Sequence, residues 1–235
     1  MNMKKITFLL VAGFFCCIIS AEAQTSSLSK KEIKGSWISL FDGKTLNGWR
    51  TAQRDTLPGN TWSAENGELS FDPTKGHGSD IVTNRSFKDF DLSVDFKISE
   101  GGNSGIKYFL LPNTSLGCEY QVIDDNKHPD AKLGVNGNRK TGSLYDLIPA
   151  NPNKPYKGAR VWNTARIIAK GNHVEHWLNG AKMLEYERGS EAFKQAIAQS
   201  KFKTTEGFAD ATSSPVLLQA HGDKVTYRNI KIKEL

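Results

Sequence analysis

The chain has 235 residues with 31 Lys and Arg against 25 Asp and Glu, a net charge of +6. Its basic residues are scattered among acidic ones, which is the pattern of a mixed-sign solvated surface and argues against a nucleic-acid-binding stripe. Two of the three cysteines, Cys16 and Cys17, precede the folded region, so Cys118 alone remains and stability must come from a buried core rather than a disulfide.

Residues 1–23 read as an export signal. Lys4 and Lys5 precede an apolar run from Ile6 to Ile19 and then Ala21-Glu22-Ala23, the small-x-small pattern of a cleavage site that would leave Gln24 at the new N-terminus. A periplasmic or secreted protein is expected. A membrane span needs about 20 apolar residues, more than this run supplies, and Phe15 before Cys16 is unsuited to a lipid-anchored cysteine. Residues 24–34 form a polar linker in which Ser26 to Lys34 has the makings of one helical turn. Residues 35–235 show no internal repeat and no change of composition, which predicts a single domain.

In chain order the predicted strands are Leu69 to Phe71, Ile81 to Thr83, Phe90 to Ile98, Gly105 to Leu111, Cys118 to Ile123, Ala165 to Lys170, His173 to Leu178, Lys182 to Glu187, Pro215 to His221 and Val225 to Lys233. They are short, β-branched or aromatic, and separated by Gly, Asn, Asp and Pro, which signals an antiparallel sandwich or barrel. Lys170-Gly171-Asn172-His173 and Leu178-Asn179-Gly180-Ala181 are hairpin turns. One helix is predicted over Ser190 to Lys201, with Ala192, Phe193, Ala196, Ile197 and Ser200 on one face. Between Asp124 and Trp162 a long loop carries Tyr145, Leu147, Ile148 and Tyr156, enough apolar surface to lie ordered over a sheet.

Side chains two apart on a strand share a face. Glu119 and Gln121 therefore lie together, opposite Cys118, Tyr120 and Val122, while Gln219 and His221 share a face and Lys107 shares one with Gly105 and Phe109. On one strand such alternation marks a solvent face. On three strands, each running into a Gly- or Asn-rich loop, it predicts a polar hollow able to pair sugar hydroxyls, with Tyr145, Tyr108 or Trp162 against a ring face. Trp177 is expected in the core, and His77 in solvent.

A retaining glycosidase needs two carboxyl groups about 5 Å apart, yet the residue two beyond Glu119 is Gln121, and Asp124 has the wrong parity. Glu119, Asp124, His128, Asp130 and His221 are potential ligands of a divalent cation, without any recognisable zinc spacing, so no cofactor is certain. No G-x-S-x-G elbow, P-loop or G-x-G-x-x-G fingerprint is present, so neither nucleotide nor nicotinamide is expected.

Several segments carry a resemblance: Trp37-Ile38-Ser39-Leu40-Phe41-Asp42-Gly43-Lys44-Thr45-Leu46-Asn47-Gly48-Trp49, Asn103-Ser104-Gly105-Ile106, Glu119-Tyr120-Gln121-Val122-Ile123-Asp124, Trp162-Asn163, Trp177-Leu178-Asn179-Gly180, Ser200-Lys201-Phe202, Leu218-Gln219-Ala220-His221-Gly222 and Tyr227-Arg228-Asn229-Ile230. In this order and spacing they resemble the 3-keto-disaccharide hydrolase family, from about Trp37 to Leu235. The resemblance implies an all-β fold, a concanavalin-like jelly-roll β-sandwich of two curved antiparallel sheets, with one short helix near 190–201 and ligand on the concave face.

It also implies action on small carbohydrates whose C3 hydroxyl a partner sugar 3-dehydrogenase has oxidised. Glu119, His128 and Asp124 are then the acid–base candidates, and Lys107, Arg228 or a cation would stabilise an enolate. Gln121, Gln219 and His221 would hold hydroxyls, and Tyr145 and Trp162 the ring. A non-catalytic carbohydrate-binding module and a conventional glycosidase are the competing expectations.

Overall fold

Strict alternation builds two layers. In the computed structural model, which describes residues 28–54 and 56–235, the strand Phe90–Ile98 turns Phe90, Leu92, Val94, Phe96 and Ile98 into the core and Ser93, Asp95 and Lys97 outward. The expected export signal lies outside the described residues. Among them, no helix is long and apolar enough to cross a membrane.

In chain order the elements are α1 (Lys30–Lys34), β1 (Ile38–Ser39), β2 (Trp49–Thr51), β3 (Trp62–Glu65), β4 (Glu68–Phe71), β5 (Ile81–Phe87), β6 (Phe90–Ile98), β7 (Asn103–Tyr108), β8 (Cys118–Ile123), β9 (Asn163–Lys170), β10 (His173–Leu178), β11 (Ala181–Glu187), α2 (Glu191–Ala198), β12 (Ser214–Leu218) and β13 (Val225–Glu234). They form a jelly-roll β-sandwich of two antiparallel sheets. One is eight-stranded, in the order β11-β10-β9-β6-β13-β4-β3 with β1 also on β13; the other is five-stranded, β2-β5-β12-β7-β8. Helix α1 has a Ser29–Glu32 capping box, and Glu32 pairs with Lys231 of β13. That ion pair docks a helix too short to persist alone.

Several sequence expectations shift for local reasons. Strand β7 ends at Tyr108, not Leu111, because Phe109 takes a φ of 50° and drops into the core against Phe90. Parity therefore fails at Phe109, which does not share the face of Lys107. Tyr108 is buried between the sheets and is no platform for a ligand. Strand β12 stops at Leu218, although the Gln219 amide still donates to the Gly105 carbonyl. The core position expected of Trp177 belongs instead to His176, which is fully buried, while Trp177 is half-exposed and donates to Glu175.

His176 can be buried because both ring nitrogens are paired. Its Nδ1 lies 3.1 Å from the Gly142 carbonyl, so it carries the proton, and Nε2 accepts from the Tyr108 hydroxyl at 2.5 Å. Tyr108 in turn accepts from Tyr186 at 2.9 Å. Burial depresses the His176 pKa to about 3 and raises that of the Cys118 thiol to about 11, so both stay neutral.

Between about pH 6.5 and pH 3 the unfolded chain binds a proton at His176 that the folded chain refuses, so stability falls as pH drops through that window. His176→Gln should cost stability at pH 7 by disturbing the hydroxyl chain, yet lose about 3 kcal/mol less than the parent between pH 7 and pH 4 in urea unfolding. Equal acid sensitivity of the two proteins would contradict this.

Candidate functional site

The register of β7 against β8 sets the site. Lys107 pairs with Glu119 and Gly105 with Gln121, so their side chains share the face turned away from the inter-sheet core, whereas Cys118, Tyr120 and Val122 point into that core. Lys107 and Glu119 are only 7% and 6% exposed, and the ammonium lies 3.5 Å from the carboxylate. The Lys107 ammonium also donates to the Ser115 carbonyl at 3.2 Å. Glu119 folds over Gly105: a Cβ there would sit 2.2 Å from Glu119 Oε1. This glycine serves close approach.

The long loop closes the open edge of β8. The Gln121 amide donates to the Ser143 carbonyl, and the Tyr145 amide to the Glu119 carbonyl. Arg139 stabilises the loop by bridging two acids, Nη1 to Asp130 at 2.7 Å and Nε to Asp146 at 2.6 Å. Burial alone would lower the Arg139 pKa, but these hydrogen bonds outweigh it and hold the guanidinium firmly charged. Asp130 accepts the Tyr145 hydroxyl at 2.9 Å and Asp146 accepts the Lys201 amide at 2.8 Å, which anchors both residues at the site. Desolvation raises the Tyr145 pKa. The Lys201 ammonium lies 4.2 Å from the centre of the Tyr145 ring, and desolvation lowers its pKa despite the opposing pull of Glu119.

The resulting pocket is lined by Lys107, Glu119, Gln121, Tyr145, Gln219 and His221 together with Asn103, Lys201 and Phe202. The five residues predicted from parity thus do converge, and His221 sits at the exposed rim. Three buried amide oxygens in the lining, Asn103 Oδ1, Gln121 Oε1 and Gln219 Oε1, have no hydrogen-bond partner. A buried acceptor left unpaired costs about 1–3 kcal/mol, so three in one pocket point to donors supplied by a ligand. Glu119 is the only carboxylate lining the pocket among the described residues.

Other candidates lie elsewhere. Asp124 accepts the Gly101, Asn126 and Lys127 amides and so holds a turn; burial would raise its pKa, but these bonds keep it below the usual range. His128 stands near the rim, its ring centre 6.4 Å from that of His221. Its Nδ1 accepts from the Asp130 amide, so the neutral ring presents Nε2–H, 4.0 Å from Asp223, and offers a donor rather than a base.

Trp162 and Arg228 are on the eight-stranded sheet side. The Arg228 guanidinium lies 4.1 Å from the centre of the indole ring, and its Nε lies 3.5 Å from Asp95. They do not reach the pocket lining.

Among the described residues, Glu119, Asp124, His128, Asp130 and His221 do not gather as metal ligands. The group with three ligand atoms within 4.8 Å is His173, Glu175 and Glu185, a surface cluster of β10 and β11 also bridged by Lys182.

Asn103, Lys201 and Phe202 drew no role from parity. Asn103 shares the face of Gly105 and Lys107 in β7, but the predicted strand starts at Gly105 and leaves it in the turn, while Lys201 follows α2 and lies on no strand. Their signal lay only in the segments Asn103-Ser104-Gly105-Ile106 and Ser200-Lys201-Phe202.

Arg139→Met should leave two acids without their cation, cost about 3 kcal/mol in urea unfolding, and open the 130–145 loop to proteolysis before the sandwich melts. Unchanged stability with an equally resistant loop would refute the clamp.

Comparison with known proteins finds relatives over most of the chain. A 3-keto-disaccharide hydrolase of Bacteroides thetaiotaomicron is 34% identical over 91% of this chain and 83% of its own. A crystal structure from Parabacteroides distasonis, described as a candidate glycosyl hydrolase, superposes with TM-score 0.80 at 31% identity over 90% of this chain and 100% of that one. A second from the same organism, described likewise, gives 0.66 at 27% identity over 85% and 99%. The model of the 3-keto-alpha-glucoside-1,2-lyase-like domain matches residues 36–233, and the chain belongs to that family.

Proposed function

We propose that the chain cleaves the glycosidic bond of 3-keto glycosides by elimination, with Glu119 as base. The observation that carries this reading is a single carboxylate held beside ammonium groups among three unpartnered amide oxygens. A two-carboxylate glycosidase would need a second acid in the lining.

A ketone at C3 makes the C2 proton acidic. The Glu119 carboxylate takes that proton, and the C2–H electron pair moves to give an enolate whose negative charge rests on the C3 oxygen. Lys107 and Lys201 supply the positive field for that charge, and preorganised charge of this kind is usually the largest catalytic contribution. Collapse of the enolate restores the ketone, forms a C1–C2 double bond and breaks the C1–O bond, and the departing oxygen takes up a proton. Water added across the double bond then completes a net hydrolysis.

Asn103, Gln121 and Gln219 accept hydrogen bonds from sugar hydroxyls, and His221 donates at the rim. The oxidised substrate requires a separate sugar 3-dehydrogenase. Export by the N-terminal signal would place the reaction in the periplasm or outside the cell, which predicts a mature chain beginning at Gln24.

Incubation with a 3-keto glucoside and its unoxidised parent, with and without chelator, tests the reading. Cleavage of the keto form alone is expected; cleavage of the parent would indicate a conventional glycosidase, and binding without turnover of either a carbohydrate-binding module. Glu119→Gln should lower kcat by at least about a hundredfold with the fold retained, and near-normal turnover would remove Glu119 from the mechanism. Gly105→Ala should displace the Glu119 carboxylate and lower kcat while shifting the melting temperature little; full activity would show that its placement over the glycine is not needed.

A further inference from the structure

The polar pocket is an open depression of about 50 Å³, which takes one edge of a sugar ring rather than a whole glycoside. A cavity of about 890 Å³ adjoins it, lined by Arg50, Gln53, Arg54, Val82, Asn113 and Asp210 among others.

The two belong to one face of one sheet. Glu119 pairs with Lys107, Lys107 with Leu217, Leu217 with Val82, and Val82 with Arg50. Directly opposed residues of antiparallel strands share a face, so this row crosses all five strands from the carboxylate to the arginine. At about 4.8 Å per strand it spans roughly 19 Å, longer than a single sugar ring.

Its middle is apolar, since Val82 and Leu217 pack with Ala52 and Leu110 in a small cluster separate from the main core. One loop divides the cavities. The Ser115 carbonyl accepts from Lys107 on the polar side, and the Ser115 hydroxyl accepts from Gln53 at 3.2 Å on the other.

We propose that the larger cavity is the subsite for the leaving group, and that it selects leaving groups bearing a carboxylate on an apolar body. The inference rests on the proposed cleavage reaction for the meaning of "leaving group", but the binding site itself does not. Val82 and its neighbours supply an apolar floor. Arg50 and Arg54 supply two guanidiniums that form no ion pair with a described residue, and Asp210 is the one carboxylate among the described residues of the lining. A guanidinium fork matches a carboxylate in geometry and charge. Attached at C1 of a sugar held by Gln121 and Gln219, such a group would lie along the row toward β5 and β2.

The test compares 4-carboxyphenyl and 4-carboxamidophenyl 3-keto glucosides, which are similar in size and differ in charge. The parent protein should favour the carboxylate by about tenfold in kcat/KM, and Arg50→Met/Arg54→Met should reduce that ratio to about one. A parent without preference, or a double variant that keeps it, would overturn the proposal.

Calorimetric titration with free 4-hydroxybenzoate and 4-hydroxybenzamide provides a readout without turnover. Selective binding of the acid by the parent and its loss in the double variant would support the subsite even if neither glucoside is cleaved, in which case only the reaction assignment fails. Turnover of the glucosides without any acid preference in either assay would reject the subsite and spare the reaction.

Discussion

The contact between the Glu119 carboxylate and the bare backbone at Gly105 is the constraint around which the site is organised. Glu119 is the diagonal neighbour of Gly105 across β7 and β8, within reach of a long side chain, and a Cβ at residue 105 would lie 2.2 Å from its Oε1, so a side chain there would compete with Glu119 for the same space. With none there, the carboxylate lies flat across β7, within 3.5 Å of Lys107, and stays almost wholly out of solvent. Everything else at the site either frames that carboxylate or supplies an unpaired acceptor near it.

The framing comes from the far side of the sheet as well as the near side. Strand β8 shows Glu119 and Gln121 to the pocket and Cys118, Tyr120 and Val122 to the core, and the core is itself wired back to the loop. The Gly142 carbonyl accepts from the buried His176, while the Gly142 amide donates to the Gln121 carbonyl. A directed chain of hydroxyls from Tyr186 through Tyr108 fixes the His176 tautomer. The loop is thus held at Gly142 by neutral buried hydrogen bonds and on either side of it by the Arg139 bridge between Asp130 and Asp146. Such double anchoring gives the pocket wall a rigidity that loops of this length lack on their own.

Much of this was legible from residue order. Parity and the ordered segments together pointed to Lys107, Glu119, Gln121, Gln219 and His221 in one hollow, although Gln219 and His221 lie past the end of β12, and strands such as Phe90–Ile98 and Cys118–Ile123 match their expected bounds because core side chains alternate cleanly through them. What failed did so where alternation ends. Phe109 breaks parity through a left-handed backbone that a phenylalanine rarely adopts, and Trp177 exchanges places with His176 because a histidine with two satisfied nitrogens packs as well as an apolar ring. Trp162 and Arg228 form a cation–π pair on the other layer, a pairing that no spacing rule reveals. Lys201 reaches the pocket only through a loop anchored by Asp146, so its role depends on a tertiary contact 55 residues distant in sequence.

Removal of the C2 proton by Glu119 is the central chemical claim, and the fate of that proton tests it most directly. If cleavage of a 3-keto glucoside is run in deuterated water and followed by NMR over the first turnovers, the C2 proton should be lost to solvent. It would be replaced by deuterium in a hydrated product or absent from an unsaturated one, at a rate that falls with cleavage in Glu119→Gln. Release of the leaving group with the original proton still on C2 would contradict elimination and the role given to Glu119.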